Sequence, residues 1–129
     1  MRVIAEYADE WNIYNPRIAE LQEHKNTVDK NKGDRKIQLS RMGPFAIAET
    51  KDQLEKKLAK NADLYKLRFE SSLKPEEIRK NGGLCGTVDE FTSQLTDFTE
   101  AGVEKFYFQI LDTEDKEMVD LLANTLKNM

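Results

Sequence analysis

The sequence has one cysteine, Cys85, and one histidine, His24. A lone cysteine forms no internal disulfide and no cysteine cluster for a metal. A lone histidine excludes a multi-histidine metal site within one chain. No apolar run approaches the roughly 20 residues that a membrane-spanning helix needs. Cationic excess is missing too: 20 Lys and Arg face 24 Asp and Glu, and the net charge is −4. A general nucleic-acid binder, or a protein of anionic membrane surfaces, carries a basic face. Neither partner is therefore expected. The opening residues, MRVIAEYADEW, have no signal-peptide core, so a reducing, cytoplasmic location is expected. There is no internal repeat, low-complexity segment or linker, and 129 residues make one domain.

What is present is organised around residues 86–109, GTVDEFTSQLTDFTEAGVEKFYFQ. Thr87 followed three residues later by Glu90 is the capping-box pattern that opens a helix. Val88, Phe91, Leu95 and Phe98 then recur at three- and four-residue steps and make one apolar stripe. Gly102 suits the left-handed residue that ends a helix. Residues 105–110, KFYFQI, are short, aromatic and β-favouring. A capped helix, a glycine stop and a strand are the αβ half of a βαβ unit. That implies a parallel sheet with a partner strand elsewhere.

The rest of the chain fits that pattern. Residues 2–8 have Val3, Ile4 and Tyr7 at helical spacing and no cap before them, which hints at missing upstream sequence. Residues 10–14, EWNIY, read as a strand. Asn15-Pro16 reads as a helix start, with Asn15 as N-cap and Pro16 in the first turn. Ile18, Leu21 and Val28 give that helix its stripe, and Gly33-Asp34 its following turn. Residues 36–42, KIQLSRM, read as a second strand that Gly43-Pro44 interrupts, and residues 45–48 resume it. Thr50 with Gln53 caps a third helix. Residues 62–69 continue that helix or form another, packed through Leu64, Leu67 and Phe69. Lys74-Pro75 starts a short one that Asn81-Gly82-Gly83 stops. Asp112 or Thr113 caps the last, whose stripe is Met118, Leu122 and Leu126. Three parallel strands near 10–14, 36–42 and 105–110 are therefore expected, with helices packed on them.

Two segments resemble the C-terminal part of the bacterial-luciferase-like family of flavin- or deazaflavin-dependent oxidoreductases. Residues 7–12, YADEWN, are similar to the family's "YADGWN" strand, with Glu10 in place of its usual glycine. Residues 86–91, GTVDEF, through 101–109, AGVEKFYFQ, are similar to its last helix and last barrel strand. Residues 39–44, LSRMGP, lie between them where the family has another strand. The resemblance implies a partial (β/α)8 barrel, about the last three strands with their helices. A complete barrel takes about 250 residues, so the early strands and the glycine-rich phosphate-contacting segment would lie upstream of Met1. It also implies FMN or a deazaflavin as cofactor of the complete fold, a monooxygenase or hydride-transfer reaction, and a small organic substrate. This half-length chain is expected to be inactive alone. Its rival is a non-catalytic module that persists as a homo-oligomer such as a dimer, beside a complementary half-barrel chain, or as a subunit of another protein.

The candidate cofactor-binding residues lie near strand ends. Trp11 and Asn12 end the first strand, where an indole could pack against an isoalloxazine ring or fill the barrel wall. Arg41 ends the second, where it could meet a phosphate or carboxylate or sit in solvent on the rim. Gln109 ends the third, where it could hydrogen-bond a cofactor edge or satisfy loop backbone. His24 sits in mid-helix and is expected on the surface. Cys85 precedes a helix N-terminus that would favour a thiolate, but no base is near it in sequence, and an inert thiol is expected. Residues 82–87, GGLCGT, lack the Walker lysine and read as a loop and cap. The basic stretch at 25–36 reads as a solvated helix end.

Overall fold

The computed structural model of the chain describes residues 2–129. In chain order the elements are α1 (Arg2–Tyr7), β1 (Glu10–Tyr14), α2 (Ile18–Asn31), β2 (Gln38–Ala48), α3 (Lys51–Lys60), α4 (Ala62–Phe69), α5 (Pro75–Lys80), β3 (Leu84–Thr87), α6 (Val88–Glu100), β4 (Lys105–Gln109) and α7 (Lys116–Lys127). Every strand pair is parallel, and β1, β3 and β4 all pair with β2. The expected α/β architecture is present, with a fourth, short strand added to it.

That fourth strand follows from how β2 spends its backbone groups. Gln38 N donates to Asp9 O at 2.9 Å and Asn15 N to Met42 O at 2.7 Å, so the even-numbered residues of β2 bond towards β1. Glu104 N donates to Leu39 O at 2.8 Å, so the odd-numbered ones bond towards β4. Pro44 is even-numbered. Opposite it β1 has already ended, since Tyr14 pairs with Met42. The missing proline N–H therefore leaves no acceptor unpaired. Beyond it β3 takes the vacated place, Leu84 lying opposite Phe45. β2 thus runs unbroken through Gly43-Pro44, where an interruption was expected. Residues 82–87, expected as a loop and cap, hold β3. The chain reaches this place through Gly82 (φ +93°), where a Cβ would sit 2.5 Å from Pro16 O.

Two cores lie on the two faces of β2. On one face Trp11, Leu39, Phe45 and Ile47 pack with Leu21 and Val28 of α2, Phe91, Leu95 and Phe98 of α6, and Met118 and Leu122 of α7. On the other, Ala46, Ala48 and Cys85 lie under Leu54 and Leu58 of α3, Tyr65 and Phe69 of α4, and Ile78 of α5. The α3–α5 layer covers only the C-terminal half of that second face.

Several local signals are met. Thr87 N donates to Glu90 Oε1 at 2.9 Å in a full capping box. Gly102 is left-handed at φ +108°. Thr50 Oγ1 accepts from Gln53 N at 3.2 Å. His24 is exposed, as expected. Others are corrected. α2 starts at Ile18 with Arg17 as N-cap, because Asn15 is left-handed (φ 46°) and turns the chain out of β1. Asp115, not Asp112 or Thr113, caps α7 and accepts from Met118 N at 3.0 Å. α4 packs through Tyr65 and Phe69, stacked at 5.8 Å, and leaves Leu67 69% exposed. In α1 the buried residue is Ala5, while Val3 and Tyr7 face solvent.

Phe91 and Phe98 are 0% and 3% exposed on the face of α6 that meets the sheet. Truncating either to alanine is expected to cost about 3–5 kcal/mol, read as a drop in the urea midpoint. A loss below about 1 kcal/mol at both positions would contradict this packing.

Candidate functional site

Strand alternation splits the four candidate residues into two pairs. Asn12 and Gln109 share a face with Glu10, Tyr14, Ser40, Met42, Lys105 and Tyr107. This is the N-terminal half of the sheet face that α3–α5 leave open. Its side chains pair across β2: Asn12 Nδ2 donates to Ser40 Oγ at 2.9 Å, and the Tyr14 hydroxyl to Gln109 Oε1 at 3.2 Å. The Tyr107 hydroxyl donates to the Glu10 carboxylate at 3.3 Å. Lys105 Nζ lies 3.8 Å from Glu10 Oε1 and 4.9 Å from the centre of the Tyr107 ring. Tyr107, and then Glu10, hold the Lys105 ammonium above its usual pKa.

Trp11 and Arg41 turn the other way, towards the helices. Trp11 is a wall residue between β1 and α2, its ring 6.4 Å from that of His24. It shares strand parity with the inward Ile13 and presents no face to the open side. Arg41 is 1% exposed, so it is neither a rim residue in solvent nor open to an anion. Its Nη2 donates to Asn15 Oδ1 at 3.0 Å and to Gly82 O, and its Cζ lies 4.7 Å from the centre of the Phe98 ring. Its Nε and Nη1 have no partner among the described residues. Burial pushes the guanidinium down to about 10, against a smaller opposing effect of Tyr14, and leaves it charged at neutral pH. Arg41 therefore ties the end of β1, the approach to β3 and α6 to β2.

A second concavity gave no sequence signal. A cleft of about 500 Å³ lies where β2 ends, between α3 and α7, lined among others by Glu49, Gln53, Lys56, Glu117, Asp120 and Asn124. Only the placement of α7 brings these distant residues together. Lys57 and Asp115 meet at 2.6 Å beside it. Burial works against the Asp115 charge, yet Lys57 and the Met118 N–H hold its carboxyl below the usual range. Among the described residues no three His, Cys, Asp or Glu side chains form a metal-binding group, and no helix is long and apolar enough to cross a membrane.

No protein-family model and no curated protein matches the chain. Solved structures do. The coenzyme F420-dependent tetrahydromethanopterin reductase from Methanopyrus kandleri aligns at a TM-score of 0.67 and 11% identity, over 96% of this chain and 46% of its own. The fold is a partial (β/α)8 barrel. An F420-dependent secondary alcohol dehydrogenase, solved with an F420-acetone adduct, aligns at 0.65 and 12% identity, over 96% of this chain and 44% of its own. The chain spans under half the length of either structure. At such identity the likeness carries the fold and not the chemistry.

Cys85 is buried in the α3–α5 core, where desolvation pushes its thiol up from 9.0 to about 12. It is not a poised nucleophile. Burial likewise pushes the Tyr65 hydroxyl up from 10.0 to about 12. Both groups stay neutral in the fold at pH values where they ionise in the unfolded chain. Their contribution to stability is whole below pH 9 and is lost as pH rises towards 12. Arg41, shifted the opposite way, opposes this only above pH 10. The urea midpoint is expected to fall between pH 9 and 10 in the wild type and to fall less steeply in Cys85→Ala, where only Tyr65 of the two remains. Equal slopes would show that the thiol is not held neutral.

Proposed function

We propose that this chain is part of a luciferase-like oxidoreductase barrel. When complete, that barrel passes a hydride or activated oxygen between a deazaflavin, or FMN, and a small organic substrate. The observation that supports this most is the alignment of 96% of the chain with two F420-dependent oxidoreductases. In a closed barrel the face away from the outer helices is the interior, and that face here carries Asn12 and Gln109. Their internal hydrogen bonds leave Asn12 Oδ1 and Gln109 Nε2 to meet a ligand edge. Trp11 and Arg41 support the wall behind them.

The residues present do not by themselves fit the whole cofactor. Lys105, the cation of the open face, is engaged with Glu10, and Arg41 is shut behind the sheet. A phosphate-bearing cofactor would need cations from further strands, so no catalytic step is assigned to this chain. The same two observations favour a second reading, a non-catalytic module that acts as a homo-oligomer or beside a complementary half-barrel chain.

Titration with coenzyme F420 and with FMN, followed by absorbance and fluorescence, separates the two. A perturbed F420 spectrum, weakened about tenfold or more in Asn12→Ala and Gln109→Ala, is expected on the first reading, without turnover of any substrate by the isolated chain. An unperturbed spectrum for both cofactors at millimolar concentration favours the module. Substrate-dependent oxidation of reduced cofactor by the isolated chain would overturn the expectation of inactivity.

A further inference from the structure

The backbone of β4 alternates like that of β2. Glu104 N bonds Leu39 O, and Lys105 to Gln109 lie opposite Ser40 to Pro44. Phe106 and Phe108 therefore direct their N–H and C=O groups at β2, while Lys105, Tyr107 and Gln109 direct theirs outward. No other described strand meets that outer edge. Natural edges are blunted by lysine, proline, bulges or a covering element. Here Lys105 at the start of β4 is the one charge, residues 106–110, FYFQI, carry no charge and no proline, and Tyr107 and Ile110 are 37% and 41% exposed. Another edge strand, β1, also starts with a charge, Glu10, but is blunted at its end by the left-handed Asn15 and by Pro16.

We propose that the outer edge of β4 joins two copies of this chain, the two strands running antiparallel about Tyr107. The strand is complementary to itself in that register. Tyr107 faces Tyr107 of the second copy with outward backbone groups on both, so each gives and accepts a bond. Lys105 falls opposite Gln109, and no like charges meet. Phe106 falls opposite Phe108 at the positions without backbone bonds, where side chains approach most closely and aromatic cross-strand pairs stabilise a sheet. Ile110 and Val119, which line a shallow cleft beside the end of β4, extend the contact. The resulting sheet runs continuously through both copies on a two-fold axis, the commonest symmetry of oligomers. This gives one form to the self-association named above and rests on that second reading, because in a closed barrel a further strand takes the same edge of β4; its test contains no cofactor.

The test is sedimentation equilibrium of the full chain at micromolar concentration, with amide hydrogen exchange on the wild type. The wild type is expected to be a dimer whose Tyr107 and Gln109 amides gain protection as protein concentration rises. Gln109→Glu sets a carboxylate opposite the second copy's lysine and is expected to tighten the dimer. Gln109→Lys sets cation against cation, twice by symmetry, and is expected to raise the dissociation constant about two- to thirty-fold. The exchange measurement needs no variant, so misfolding of either variant leaves the proposal testable. A monomer at 100-fold the working concentration overturns it. So does a dimer whose Tyr107 amide exchanges equally fast at all concentrations, or whose affinity moves the same way for both substitutions.

Discussion

A strand inside a sheet must find partners for its N–H and C=O groups on both sides, and β2 meets that demand with three different neighbours. On one side it has β4. On the other it has β1 up to Met42 and β3 from Phe45. At the change of neighbour stands Pro44, which has no N–H to be satisfied on that side. Arg41 closes the same seam from the helix side, reaching Asn15 after β1 and Gly82 before β3 with one nitrogen. A buried cation without a carboxylate is costly. Two carbonyl-type acceptors and the face of Phe98 offset part of that cost. Remove the seam and β3, α5 and the start of α2 lose their common anchor.

The seam also explains why the two faces of β2 differ. Leu39, Phe45 and Ile47 present bulk to α2, α6 and α7 along the strand's whole length. The opposite face changes character at Pro44. After it Ala46 and Ala48 are small enough for α3 and its followers to sit close. Before it Ser40 is small for another reason: Glu10, Tyr107 and Lys105 reach each other across β2 above it. The closed half is a core, and the open half is a polar surface whose members satisfy one another.

Local chemistry made much of this legible. The capping box at Thr87, the stop at Gly102 and the alternation in KFYFQI act within a few residues, so α6 and β4 can be read without knowing what they touch. β3 cannot. Its four residues, two of them Cys85 and Gly86, carry little strand preference. They are extended because β1 ends where it does. Pro44 misleads for the same reason, since its tolerance depends on which neighbour lies opposite. Trp11 is different, because its alternation with Asn12 and with Ile13 already placed it on the helix side. Trp11 stands near a strand end, but parity decides which face it takes. For Arg41 the face was legible, but burial without an acid was not, because Asn15, Gly82 and Phe98 are brought together only by the fold.

The open half and the β4 edge offer different groups to different kinds of partner. On the face, most polar side chains already have partners. A ligand that displaces one of those contacts exchanges hydrogen bonds of similar strength, and each such bond contributes only about 0.5–1.5 kcal/mol net. Affinity there has to come from apolar contact with Tyr14, Met42 and Tyr107, or from charges that another part of a barrel supplies. On the edge the groups are backbone donors and acceptors that water satisfies when nothing else does. A second strand replaces that water along its whole length at once, and adds aromatic burial on the flanks. Ligand binding as proposed would therefore depend on side chains of the face, and the proposed association on the backbone of the edge. Substitutions can weaken one and leave the other intact.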